Sequence, residues 1–144
     1  MTDFDPIAQI VEISNLVPRL SQMADFGTIE EYSTLMADDF VWDYPGGGTV
    51  MPNPTLITGR DDVLQGARER RAQGIQGPGT HTRHVVTSIS VDPDPERPTS
   101  TAYWHFYHHT NATPTLITMG RYHDEFSRAE DGRWVFSRRR IIID

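Results

Sequence analysis

The chain has no cysteine. That excludes a disulfide framework, a thiolate nucleophile and any cysteine-ligated metal. It has no run of 18 apolar residues, so no segment reads as a membrane-spanning helix and no membrane partner is expected. Positive charge is scarce: 13 Lys and Arg stand against 20 Asp and Glu, a net charge of −7. Nucleic-acid binding needs a basic face and is not expected here. The cluster Arg138-Arg139-Arg140 does not supply one, because alternate residues of a strand face opposite ways. Metal-binding patterns are missing too; the histidines are scattered, and no HxxxH or HxH triad with a nearby carboxylate appears. Gly46-Gly47-Gly48 is not a phosphate loop, since no lysine followed by serine or threonine comes at the required spacing. The start, Met1-Thr2-Asp3-Phe4-Asp5, is acidic and lacks the basic and apolar regions of a signal peptide. These absences predict a soluble, cytoplasmic protein without metal or cofactor.

What is present suffices for one folded domain over residues 1–144. Hydrophobic residues make up 37% and aromatics 10% of the chain. At this length roughly two thirds of the unfolded surface is buried on folding, so the core needs no staples. Asp5-Pro6 is a helix start, with an acid at the cap and proline at the first turn. Ile7, Ile10, Val11, Ile13, Leu16, Val17, Leu20 and Met23 follow at helical spacing, and Pro18 should kink or split that helix. Thr28-Ile29-Glu30-Glu31 fits a capping box, predicting a second helix to about Ala37. Phe40 to Tyr44 reads as a short strand, and the Pro- and Gly-rich stretch to Thr58 as a loop. Gly59-Arg60-Asp61-Asp62 opens a third helix that stops near Gly74. Four strand-like runs follow, at 81–91, 99–109, 115–128 and 133–143. The last two flank Asp131-Gly132, a hairpin signal. Helices first and strands last predict an α+β fold, with helices on one face of a mostly antiparallel sheet.

Several motifs, in this order, carry a resemblance. Ala24-Asp25-Phe26-Gly27 ends the first helix. Ala37-Asp38-Asp39-Phe40-Val41-Trp42 leads into the first strand. Gly59-Arg60 precedes the third helix. Arg83-His84-Val85-Val86-Thr87-Ser88 forms a strand, and Gly120-Arg121-Tyr122-His123-Asp124 with Gly132-Arg133-Trp134 a closing hairpin. Over nearly the whole chain this order resembles the SnoaL-like branch of the nuclear transport factor two superfamily. Ser88 stands where that family often has asparagine. The resemblance implies a cone-shaped α+β barrel around one apolar pocket. It also implies relatives among polyketide cyclases, scytalone and bile-acid dehydratases and a dehydrochlorinase.

Asp25 and His84 are the candidate catalytic pair. In related lyases an acid at the first position orients a histidine at the second, which removes a substrate proton. The chemistry stands apart from the family: neutral imidazole is a competent base near neutral pH, and a carboxylate fixes its tautomer. The structural alternative is a capping Asp25 and a hydrogen-bonded core His84. Arg139 lies where a dehydrochlorinase-type relative has a basic residue near the leaving group; a solvated strand residue or an ion pair with Asp124 or Asp25 is the alternative. On the last strand Val135, Ser137, Arg139, Ile141 and Ile143 should share the pocket face, opposite Trp134 and Phe136. On the strand before the hairpin Tyr103, His105 and Tyr107 share one face, and Ala102, Trp104, Phe106 and His108 the other. If the apolar set packs at a subunit interface, His105 points inward, as the second histidine of scytalone dehydratase-like enzymes does. Tyr122 would donate to a substrate carbonyl or simply pack. Leu16, Leu20, Met23, Val86 and Ile141 complete the expected lining, and Asp43 and Tyr44 sit at its mouth or in a solvated loop.

The expected function is lyase or isomerase chemistry, of dehydratase or cyclase type, on a hydrophobic cyclic ligand such as a polyketide, steroid or terpenoid. The alternatives are a non-catalytic small-molecule-binding protein and a subunit or interaction module, like the small subunits of ring-hydroxylating dioxygenases that share this fold. Val85, Ile89 and Val91 oppose His84 and Val86 in simple alternation, so the strand is apolar on both faces. That predicts a homodimer through the outer face of the sheet.

Overall fold

The computed structural model describes residues 3–143; Met1, Thr2 and Asp144, including part of the acidic start, lie outside it. Helix α1 (Pro6–Phe26) begins where Asp5 Oδ1 accepts from the backbone N–H of Ile7 and Ala8. It runs through Pro18 as one helix, so of the expected kink or split the split does not occur. Proline costs an interior helix about 3 kcal/mol or more. The buried stripe of Ile13, Val17 and Leu20 on both sides of Pro18 offsets that cost. Helix α2 (Ile29–Ser33) has the full capping box of Thr28 and Glu31 but stops earlier than expected. The Leu35 carbonyl already accepts from Phe136 N–H at 2.9 Å, which draws the chain into the sheet. Strand β1 (Met36–Tyr44) is therefore longer than the sequence suggested and buries Met36 and Phe40. Strand β2 (Thr55–Thr58), expected as loop, pairs with β1 at the sheet edge. Its residues are mostly exposed, so it carries no alternation to read.

Helix α3 (Arg60–Ala72) is followed by β3 (Arg83–Asp92), β4 (Thr99–His108), β5 (Thr115–Arg128) and β6 (Trp134–Ile142). The strands form one six-stranded sheet in the order β2-β1-β6-β5-β4-β3. It is antiparallel except where β1 runs parallel to β6. The curved sheet wraps α1 and α3 in a cone-shaped α+β fold, with α1 against β3 and α3 against β1. The main core lies between the helices and the sheet. A second cluster of Trp104, Phe106 and Tyr122 lies further along the strands.

Bulges reset the faces in a way that alternation does not foresee. On β3 the register shifts between Thr87 and Ser90, and Ser88 takes a left-handed φ of 53°. One extra residue moves Ile89 and Val91 onto the face of His84 and Val86, and all of them but His84 pack on the core. The two-faced apolar pattern of β3 is largely this bulge. On β6 the shift falls between Phe136 and Arg138. Phe136 pairs with Phe126 and Arg139 with Asp124, so Trp134, Phe136, Arg139 and Ile141 share the inner face. The expected grouping of Arg139 opposite Phe136 is thereby corrected. Its guanidinium lies 5.1 Å from the Phe136 ring centroid.

Candidate active site

Asp25 occupies the last turn of α1, where the helix dipole disfavours a negative charge. Arg71 on α3 offsets this. Its guanidinium donates to the carbonyls of Gly27 at 2.8 Å, Met23 at 3.0 Å and Ala24 at 3.2 Å, and so fixes the helix end. The Asp25 carboxylate then grips His84 twice. Oδ1 lies 2.6 Å from His84 Nδ1, and Oδ2 accepts from the His84 backbone N–H at 2.8 Å. Asp25 is 4% exposed. With Nδ1–H committed to the carboxylate, Nε2 carries the lone pair. The ring packs on Phe106, centroids 4.6 Å apart, and faces the main cavity.

That cavity holds about 400 Å³ and its wall is predominantly apolar and aromatic. Helix α1 contributes Leu20, Ser21 and Ala24; α2 contributes Tyr32. Strands β4 and β5 supply Trp104, Phe106, His108, Ile117, Thr118 and Tyr122. Trp42 on β1, Arg139 and Ile141 on β6, Arg70 on α3, Ile75 and Gln76 just beyond it, and Val50 and Met51 of the β1–β2 loop add to it. The Tyr44 hydroxyl bonds the Met51 carbonyl and ties that loop down.

Leu20, His84, Tyr122, Arg139 and Ile141 thus line the cavity, and Asp25 stands behind His84. The other expected residues lie elsewhere. Met23 is buried in the helix–sheet core with Leu16 against it, and Val86 packs between the two core clusters. His105 is on the outer face, because Ala102, Trp104 and Phe106 are buried toward the helices. His108, on that same inner face, is the histidine that reaches the cavity, and its ring meets Phe106 edge-on at 5.3 Å. Asp43 and Tyr44 are buried on β1; Asp43 pairs with Arg138 and Arg140.

Arg139 is bound to the protein. It forms a fork with Asp124, Nε to Oδ1 and Nη2 to Oδ2 both 2.8 Å, and donates to the Val17 carbonyl at 3.3 Å and to Ser21 at 3.4 Å. Its guanidinium lies 3.7 Å from the Tyr122 ring centroid. Burial pushes the Tyr122 hydroxyl up to about 12, against the pull of Arg139 and a hydrogen bond with Ser21. Burial also raises the Tyr32 hydroxyl. Both phenols therefore stay protonated at neutral pH and are hydrogen-bond donors. The sequence reading missed Trp42, Tyr32, Trp104, Phe106 and Arg70 as lining, and left open which of His105 and His108 faces the pocket. The plain inward alternation of Ala102, Trp104 and Phe106 was the available signal for β4.

A curved sheet closed by helices over an aromatic cavity, with an Asp–His pair in its wall, defines a class of pocket-bearing α+β cones. The model of the SnoaL-like domain matches residues 5–140, and the chain belongs to that family. No curated protein matches it. Among solved structures, ActVI-ORFA from Streptomyces coelicolor is 16% identical with a TM-score of 0.75, covering 96% of this chain and 97% of that one. A Catenulispora acidiphila protein solved in complex with S-DNPA is 20% identical with a TM-score of 0.71, covering 94% of each chain. A provisionally assigned scytalone dehydratase from Novosphingobium aromaticivorans is 22% identical with a TM-score of 0.71, covering 96% of this chain and 85% of that one. At these identities the likeness establishes the fold. No helix among the described residues is long and apolar enough to cross a membrane.

Proposed function

We propose that the protein is a lyase or isomerase of dehydratase or cyclase type that acts on a hydrophobic cyclic small molecule. The observation that carries this is the two-point hold of Asp25 on His84, which leaves Nε2 facing an apolar cavity. A histidine placed only for packing needs no carboxylate fixing both its ring and its backbone. His84 removes a proton next to a substrate carbonyl or leaving group, and Asp25 holds the tautomer and balances the charge that develops on the ring. The Tyr122 hydroxyl is the donor for the oxygen on which negative charge grows. His108, across Phe106 from His84, is the group placed to return a proton. Arg139 acts through Tyr122 rather than on substrate, because Asp124 and Val17 occupy its donors.

The neighbours named for a dehydratase and solved with a small molecule support this reading. So does the open cavity, which an interaction module would fill with side chains. The reading includes a homodimer through the outer sheet face, where Val85, Tyr103 and Met119 are 39%, 53% and 51% exposed.

The test is His84→Ala against wild type on a panel of aromatic and steroid carbonyl compounds. Turnover should fall by about 10²-fold or more while ligand affinity stays nearly intact. Equal turnover in both proteins would remove His84 as the base. Binding without turnover in wild type, weakened by about 1 kcal/mol in the variant, would mark a binding protein.

A further inference from the structure

All 13 basic side chains of this chain are arginines. Those drawn out of solvent have acceptors. Arg60 holds Asp38 and the Met36 carbonyl, Arg71 holds three carbonyls, Arg138 holds Asp43, and Arg139 holds Asp124. Arg70 is the exception. It is half-buried in the cavity wall, and among the described residues its guanidinium has neither a carboxylate partner nor a hydrogen bond. Its neighbours are apolar. The guanidinium lies 5.9 Å from the Trp42 ring centroid, and Nη1 occupies the space left by the missing side chain of Gly66, beside Ile57. Burial lowers its pKa from the ordinary value, with Tyr32 across the cavity wall and adjacent Glu69 acting the other way. A guanidinium taken from water without an acceptor is costly, and an alanine or leucine would serve the fold better at this point of the α3 stripe formed with Val63 and Ala67.

The positions of Arg70 and His84 add a second constraint. Trp42, under Arg70, lies on β1, and His84 lies on β3. Strands β6, β5 and β4 intervene. Four strand spacings amount to about 19 Å along the sheet, and less across the chord of a curved one. Trp104 and Tyr122, stacked with centroids 5.6 Å apart and 15° between planes, form a flat wall between the two ends.

We propose that Arg70 is the anion anchor of this cavity, and that its ligand is a planar, fused-ring carboxylic acid held with its carboxylate on Arg70 and its reacting end at His84. A carboxylate matches the guanidinium fork with two parallel hydrogen bonds, which the single donors elsewhere in the wall, such as the Tyr32 and Tyr122 hydroxyls and the unpartnered Trp104 Nε1, do not offer. The proposal rests on the reading of His84 as the reactive end for its orientation only; the acid preference stands on Arg70.

The experiment measures binding of 2-naphthoate and of its neutral counterpart 2-naphthamide, by quenching of tryptophan fluorescence at pH 7, in wild type, Arg70→Met, Arg70→Lys and His84→Ala. Wild type should bind the acid at least about ten-fold tighter than the amide, the range of a charge-assisted fork. Arg70→Met should bring the two within about two-fold, and Arg70→Lys, which keeps the charge and loses the fork, should fall between. His84→Ala should keep the acid preference even if turnover is lost. If turnover proves independent of His84 while the preference follows Arg70, the anchor stands and only the catalytic reading falls. Equal affinities in wild type, no binding of either probe at millimolar concentration, or a preference that survives Arg70→Met would overturn the anchor. Thermal melting gives a further reading: ligand-free Arg70→Met should melt no lower than wild type, and a clear drop would show that Arg70 serves the fold instead.

Discussion

At Arg139 and Asp124 two full charges lie beneath the aromatic wall of the cavity, Asp124 with no exposed surface at all. Burial alone would penalise both; the fork, the Val17 carbonyl and the Tyr122 face compensate. Removing one partner strands the other. Asp124→Leu should therefore cost about 3–5 kcal/mol in urea unfolding, whereas the double change Asp124→Leu with Arg139→Met should cost clearly less than the single one. Tyr122 gives a pH prediction. Its folded pKa of about 12 stands above its ordinary value of 10.0. Between those values the unfolded chain loses the phenolic proton and the folded chain keeps it. The contribution is thus complete below pH 10 and is lost as pH rises through 12. It amounts to about 3 kcal/mol for a shift of this size. Tyr122→Phe should flatten the fall of stability between pH 10 and 12, followed by denaturant titration at fixed pH values.

The elements show why small residues and one arginine decide the shape of the site. Gly120 on β5 faces Trp104 on β4, and a Cβ there would meet Trp104 Cζ2 at 3.2 Å and overlap the Ile142 carbonyl. Backbone cannot move aside as a side chain does. Gly120→Ala should lower the melting temperature strongly and disturb the Trp104–Tyr122 stack, visible as a change in near-ultraviolet circular dichroism. The end of α1 depends on Arg71 in the same way. Arg71→Met removes three hydrogen bonds to backbone carbonyls, each worth about 1 kcal/mol, and loosens the turn that carries Asp25. The downfield proton resonance of His84 Nδ1–H at neutral pH should then broaden or vanish, while Arg68→Met, on the exposed face of α3, should leave it unchanged.

On the scale of the whole molecule, the sheet has a packed inner face and an outer face that is still partly apolar. Leu116, Met119, Tyr103 and Val85 form the exposed apolar part of β3 to β5. Covering such residues on a second copy is favourable at about 25 cal/mol per Å² of apolar surface removed from water. The homodimer reading predicts a light-scattering mass of twice 16.4 kDa at micromolar concentration. Tyr103→Glu with Met119→Glu should return the protein to its monomer mass without changing its circular dichroism spectrum. A wild-type mass of 16.4 kDa would remove the dimer.

Local chemistry settled the element order, because caps, glycines and periodicity act over a few residues. Asp5-Pro6, the capping box at Thr28 and the Asp131-Gly132 turn stand where the sequence places them. The contact of Asp25 with His84 was also legible, through the order of motifs around each residue. What the chain order could not carry was the phase of the strands. A single extra residue at Ser88, and another between Phe136 and Arg138, exchanges the faces beyond it, and no residue type there announces a bulge. Arg139 thus joined Phe136 and Asp124. His105 was placed by a different condition, an interface on the apolar face of β4. The helices bury that face instead, so His108 and not His105 reaches the cavity. Arg70 shows the same division. Its place on the α3 stripe is in the sequence, but its lack of an acceptor exists only once β1, β2 and α3 have packed around it.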